Sequence, residues 1–188
     1  MRRFCGVVAT IRRQFRRRAA YGVSLLLFSA CVTDLHPARA STHTAGEQAY
    51  ARHDYTRAAQ LLLLEAELCR PVAQTYLGYM YQSGLGVPRD YAVAASWLNQ
   101  AAEQGEPTAQ FLLGLLFDKG FGVPQDWVQA EVWLNLAASQ ASREQQDYWT
   151  RVRDAVARKL TLNQLAESQQ RASEWAPIAN QRPLTTRY

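Results

Sequence analysis

The chain has 188 residues, 48% of them hydrophobic and 20% charged, which is enough to bury one continuous core. Its net charge of +5 is uneven: residues 1–40 hold eight of the 21 Lys+Arg and one of the 16 acids, leaving a net of −2 on residues 41–188. A folded region without excess basic charge argues against a nucleic-acid partner, and none is predicted.

Residues 1–40 have the pattern of an export signal. Seven arginines between residues 2 and 18 precede an apolar run at 21–30. This run is too short to form a transmembrane helix that spans the hydrocarbon core. Arg12-Arg13-Gln14-Phe15 resembles a twin-arginine signal, although Ile11 departs from the polar residue usual there; a mis-annotated start codon is the alternative explanation of the long basic region. We therefore expect the protein to be exported to the periplasm or envelope of a bacterium.

Two ends to this signal compete. Phe28-Ser29-Ala30-Cys31 resembles a lipoprotein box, in which Cys31 would carry lipid and tether the protein to a membrane. Ala38-Arg39-Ala40 is a small-x-small cleavage site that would instead release a soluble chain from Ser41. Motif grounds favour the first, so Cys31 is the lipidation candidate.

A degenerate unit follows at residues 43–70. Several of its residues return 36 positions later in the chain: Asp54, Tyr55, Ala58, Leu62 and Ala66. The fully apolar run Leu61–Leu64 predicts burial on more than one side of its helix. Cys69 is the only cysteine after the leader, which leaves no internal disulfide in the folded region. It takes the place that Gly105 has one period later, at a helix end, which carries a small local penalty if that site needs a positive φ.

Residues 71–106 and 107–141 are near-copies at the same shift of 36, which indicates stacked supersecondary units. Apolar residues three and four apart predict two amphipathic helices in each copy. Gly84 and Gly120 predict left-handed helix ends, and Asp90 and Asp126 predict the N-caps of the helices that follow. Each unit therefore consists of a helix, a Gly-x-Gly-Val-Pro turn and a second helix.

Gly78 and Gly114 fall inside the first helix of each copy. A glycine there costs roughly 0.5–1 kcal/mol relative to alanine. Its presence in both copies predicts that another helix passes too close for a side chain.

This pattern resembles the Sel1-like repeat, a relative of the tetratricopeptide repeat. The resembling signature, Ala-x3-Leu-Gly-x2-Tyr/Phe-x2-Gly-x-Gly-Val-Pro-x-Asp, continues to a final Ala-Ala pair over residues 73–102 and 109–138. The resemblance implies an all-α fold, a right-handed α/α superhelix (solenoid) of helical hairpins, used mostly as a scaffold for protein contacts. Residues 43–70 then resemble a tetratricopeptide-like unit that serves as the N-terminal cap.

After Ala138 the period stops in the sequence. Ser142-x2-Gln145 and Thr161-x2-Gln164 are capping boxes that predict two further helices. We interpret residues 142–176 as a C-terminal cap and residues 177–188 as a flexible tail, which brings the prediction to eight helices in four hairpins.

The sequence predicts no catalytic, metal or cofactor site, and no cofactor. The only histidines are His36, His43 and His53, and no two are spaced four apart. Gly84-x-Gly86 lacks the third glycine and the preceding strand of a nucleotide loop. Cys69 has no neighbouring base in the sequence.

The first helix of each repeat supplies the candidate partner-binding residues, because the concave face of a solenoid is its usual binding face. The candidates are Tyr76, Tyr79, Gln82, Leu112, Leu115 and Asp118. Packing between repeats is the alternative role of each. The predicted function is a non-enzymatic scaffold that binds another protein or peptide in the envelope. The alternatives are an envelope enzyme or cell-wall-binding protein, and a structural spacer or dimerising adaptor.

Overall fold

The computed structural model describes residues 44–175 and 177. This part of the chain is helical and contains no strand, so the predicted all-α class is confirmed. The helices are α1 Ala45–Ala51, α2 Tyr55–Glu67, α3 Pro71–Ser83, α4 Tyr91–Glu103, α5 Pro107–Lys119, α6 Trp127–Ser139, α7 Arg143–Ala157 and α8 Leu162–Glu174. The export signal, with both of its proposed ends, and the tail from residue 178 lie outside the described residues. Within those residues, every helix is too short or too polar to span a bilayer.

Three hairpins stack in chain order. The pairs α1–α2, α3–α4 and α5–α6 each pack together, and α2–α3 and α4–α5 contacts join one hairpin to the next. The predicted helix ends are confirmed, since Gly84 and Gly120 have φ of 73° and 70°. The predicted caps are confirmed as well: Asp90 accepts from the Ala92 and Val93 amides at 2.9 and 3.0 Å, and Asp126 accepts from the Gln129 amide at 3.0 Å.

Close helix approach explains the glycines inside the first helices. A Cβ at Gly78 would lie 2.5 Å from Leu98 Cγ, and one at Gly114 would lie 2.7 Å from Leu134 Cγ. Both distances are far below van der Waals contact, so the prediction from the sequence is confirmed.

A ladder of buried glutamines joins the hairpins. Gln74 Nε2 donates to the Ala66 carbonyl at 3.0 Å and Gln110 Nε2 to the Ala102 carbonyl at 3.3 Å, and both side chains are fully buried. Each also accepts a hydrogen bond from a second glutamine. Gln74 Oε1 accepts from Gln104 Nε2, at the end of α4, at 2.7 Å, and Gln110 Oε1 accepts from Gln140 Nε2, at the end of α6, at 3.2 Å. The ladder satisfies carbonyls that a helix end leaves without an intrahelical partner.

The same register continues into α7. This helix begins at Arg143, 36 residues after the start of α5, and Gln146 Nε2 lies 3.4 Å from the Ala138 carbonyl. The repeat geometry therefore extends one helix beyond the point at which the sequence period stops.

The last helix departs from the repeat. Helix α8 packs against α6 rather than against α7. Ala172 joins the cluster around Trp133, and the Trp175 ring meets Trp133 edge-on at 6.2 Å. The predicted fourth hairpin is therefore wrong, because apolar contacts on the outer face of α6 draw α8 across it.

Two features of the first unit complete the fold. Cys69 and Gly105 have φ of 59° and 91°, so this helix end does need a positive φ, and cysteine carries the local penalty there. The burial predicted around Leu61–Leu64 is wrong: Leu62 is fully buried, but Leu64 is 63% exposed. Helix α2 has its main helix contacts with α1 and α3, which leaves its outer face without a described helix against it.

Candidate partner-binding surface

Aromatic and apolar side chains recur on the first helix of each unit and on α7. At the shift of 36, Tyr76 aligns with Leu112 and Tyr148, and Tyr79 aligns with Leu115. Tyr79 is 39% exposed and Tyr148 is 55% exposed, whereas the other three are partly buried. We name one set of residues the aromatic strip: Tyr50, Tyr76, Tyr79, Leu112, Leu115 and Tyr148.

Tyrosines cluster at the N-terminal end of the strip. The Tyr50 ring meets Tyr76 edge-on at 4.9 Å and Tyr55 edge-on at 5.4 Å. Burial raises the pKa of Tyr50, and the neighbouring Tyr79, Tyr55 and Tyr76 raise it further. Burial also raises the pKa of Tyr76, with a smaller effect from Glu47. These phenols therefore stay neutral at physiological pH, where each can donate and accept a hydrogen bond.

The middle and the C-terminal end of the strip rest on the core. Leu112 and Leu115 pack against the cluster that contains Phe111 and Trp149. The Phe111 ring stacks on Trp149 at 4.8 Å and touches Tyr148 at 5.7 Å. Leu112 and Leu115 thus contribute to packing between α5 and α7 and also present part of their surface to solvent.

The remaining two candidates lie deeper. Gln82 is partly buried, and its Oε1 is buried without a hydrogen-bond partner. Asp118, at the equivalent position, is 4% exposed and forms ion pairs with Lys159 and, at 3.1 Å, with Lys119. Burial raises the pKa of Asp118, but hydrogen bonds from the two lysines outweigh it and hold the pKa below its ordinary value. Its carboxylate is used within the fold to hold the α7–α8 turn, so Asp118 drops out of the candidate surface.

Sequence reasoning missed Tyr50 and Tyr148. Tyr148 lies at the shift of 36 from Leu112, so extending the period beyond Ala138 would have found it. Tyr50 lies in the last turn of α1, and the residue one period later is Gly86, so the sequence offers no repeat match for it.

No group of three His, Cys, Asp or Glu side chains in residues 44–175 and 177 could hold a metal ion. His53 is exposed, and its Nδ1 lies 2.7 Å from the Tyr55 hydroxyl.

Comparison with known proteins identifies Sel1 repeats in the middle of this chain. Residues 71–106 and 107–142 match the family model described as Sel1 repeat. The crystal structure of c5321, a protective antigen present in uropathogenic Escherichia coli strains that displays an SLR fold, is similar at 27% identity and a TM-score of 0.64. That match covers 76% of this chain and 33% of the other chain.

A Sel1 repeat protein from Oxalobacter formigenes is similar at 30% identity and a TM-score of 0.52, over 70% of this chain and 54% of the other. This chain therefore spans about a third of one relative and about half of the second. No curated protein sequence matches it. Residues 71–142 are two consecutive Sel1 repeats, and the described part of the chain has the fold of solved Sel1 repeat proteins.

Proposed function

We propose that this protein is a non-enzymatic scaffold of the bacterial envelope that holds another protein against the aromatic strip. Sel1 repeats generally serve as scaffolds for protein contacts. The observation that carries the proposal for this chain is the exposure of Tyr79 on α3 and of Tyr148 on α7, at repeat positions three residues apart. Exposed aromatics in one row are typical of a contact surface, because they bury a large area with little loss of side-chain freedom.

The chemistry of the strip indicates what it binds. Helix α3 contains no charged residue, and α5 has only Asp118 and Lys119 at its end. The strip residues of these helices are tyrosine and leucine, with neutral phenols at one end. A partner segment that presents apolar side chains and backbone polar groups matches such a surface, since it needs no buried counter-charge.

Removing a single aromatic side chain from the strip is expected to weaken binding of the partner. Tyr79→Ala and Tyr148→Ala should each lower recovery of an envelope protein crosslinked to the scaffold, with affinity falling on the order of tenfold, because aromatic anchors at interfaces contribute more than about 1 kcal/mol each. The measurement is quantitative recovery from crosslinked envelopes, together with the thermal midpoint of each variant.

Phe121→Ala is the matched control. Phe121 is a comparably exposed aromatic, but it lies in the α5–α6 turn against Tyr91 and outside the strip. If all three variants recover the partner equally, or if Phe121→Ala loses it as strongly as the strip variants, the strip is not the binding surface.

The envelope location is part of the proposal and is supported by the pattern of residues 1–40. We expect the mature protein to begin at a lipid-modified Cys31 and to fractionate with membranes, because two acyl chains are sufficient for stable anchoring. Cys31→Ala should move it to the soluble envelope fraction. The mass of the N-terminal peptide from membranes decides the matter, and an unmodified Ser41 terminus would replace the tether with a soluble periplasmic form.

A further inference from the structure

The contact between α6 and α7 contains a buried acid that the preceding unit lacks. Glu131 is the only charged residue of α6, is 3% exposed, and has one carboxyl oxygen, Oε2, without a hydrogen-bond partner. At the equivalent position of α4 the chain has Ala95, also buried. An apolar site in one repeat is therefore an acid in the next, at the place where the last repeat meets the cap.

The neighbours of Glu131 on α7 compensate a negative charge only in part. Arg153 is the cation whose charge acts on Glu131, but its Nη2 and Nε donate to Asp154 Oδ1 at 2.7 and 3.0 Å. Burial raises the pKa of Glu131 to about 7, with Arg153 lowering it and Asp154 raising it. In the α4–α5 contact the residue equivalent to Arg153 is Phe117, so the corresponding pair there is apolar.

The charged groups of α5 and α8, the other helices packed against α6, already have their own partners. Asp118 binds Lys119 and Lys159, Glu167 binds Arg171, and Glu174 accepts from Gln170. Lys159 also lies over the Trp127 ring at 5.9 Å. The balance of charge at Glu131 thus depends on the Arg153–Asp154 pair alone.

We infer that the junction between α6 and α7 is a pH-sensitive latch, closed while Glu131 is neutral and opened locally when that buried carboxyl ionises. An ionised carboxylate with an unpaired oxygen must be solvated, and separating α7 from α6 is the nearest route to water. The upstream hairpins have no such acid in this contact and stay closed. Opening moves α7, which carries Tyr148, away from the rest of the aromatic strip.

The direction follows from proton linkage. The pKa of Glu131 is about 7 in the closed state, above its ordinary value of 4.5. Between these two values the open state binds fewer protons than the closed state, so raising the pH favours opening, and the effect levels off above the higher value. Between pH 6 and pH 8 the population with α7 open is expected to rise on the order of tenfold.

Amide hydrogen exchange of the full chain at pH 6 and pH 8, corrected for intrinsic exchange rates, tests the latch. In the wild-type protein α7 should lose protection on the order of tenfold relative to α3 and α4, which act as internal references. Glu131→Gln should abolish this pH dependence, because it keeps the shape and cannot ionise. The matched control Glu144→Gln removes an exposed acid from α7 and should leave the dependence intact.

Glu131→Ala provides a second variant that places the residue of the preceding repeat at this position, so it should fold even if the buried amide of Glu131→Gln is not tolerated. Protection of α7 in Glu131→Ala should be independent of pH. The latch is overturned if either variant keeps the wild-type pH dependence, if α3 and α4 lose protection together with α7, or if carbon-13 NMR places the Glu131 titration below pH 5.

Discussion

Replacing Gly122 with alanine is expected to lower the free energy of unfolding by roughly 4 kcal/mol. The same replacement at Gly120, in the same turn, should lower it by less. Gly122 has φ of 71°, and a Cβ there would overlap the Tyr91 carbonyl and lie 2.6 Å from the Ala92 amide nitrogen. These are backbone atoms at the start of α4, so they cannot move aside as a side chain can. The turn of one repeat would have to separate from the preceding repeat.

Gly120→Ala is the matched control for this change. Gly120 has nearly the same φ, 70°, but a Cβ there would meet the Gln125 Cβ at 3.2 Å, which a small shift relieves. Its cost should be close to that of the left-handed backbone alone, about 1–2 kcal/mol. Urea unfolding followed by circular dichroism measures both variants. Equal losses of unfolding free energy in the two variants would mean that the positive φ alone requires glycine at position 122, and that contact between repeats does not.

The same contact explains why the first unit lacks the Gly-x-Gly turn. Gly86 rests on the backbone of Tyr55 at the start of α2, as Gly122 rests on Tyr91. The turn between α1 and α2 has no earlier hairpin to meet among the described residues, so nothing there requires a second glycine. Helices α1 and α2 of the first unit still approach each other closely, because a Cβ at Gly46 would lie 2.8 Å from the Leu62 side chain.

The repeat architecture could be predicted because its signals are local and occur twice. Helix periodicity, the N-caps at Asp90 and Asp126 and the left-handed ends at Gly84 and Gly120 each depend on a few adjacent residues. The position of α8 could not be predicted in this way. It depends on where the apolar face of α6 is left uncovered, which is a property of the assembled hairpins.

The candidate surface was harder to predict for the same reason. Asp118 and Gln82 occupy one repeat position, yet Asp118 is enclosed by Lys159, a residue from the turn beyond the repeats. Glu131 occupies the position of Ala95, and its burial was not predicted, because the neighbours of an acid in sequence do not show whether it is buried. Tyr148 was hidden only by ending the period at Ala138.

Replacing Gly114 with leucine is expected to destabilise the protein by roughly 3 kcal/mol or more, and Gly78→Leu should behave alike. The added side chain would enter space filled by Leu134, which is fully buried, with the Ala130 carbonyl 3.2 Å from the new Cβ. Overpacking a contact between two helices forces the hairpin apart, and the loss should spread to the neighbouring hairpins through their shared interfaces. The thermal midpoint should fall by roughly 10 °C.

Two further variants separate overpacking from a general intolerance of leucine. Ala155→Leu, on the exposed side of α7, should change stability by less than about 0.5 kcal/mol. Adding Leu134→Ala to Gly114→Leu should recover at least about 1 kcal/mol relative to the sum of the single losses, because the two residues compete for one volume. Strict additivity would show that they do not compete, and the close approach of α5 and α6 would then not be the reason for glycine at this position.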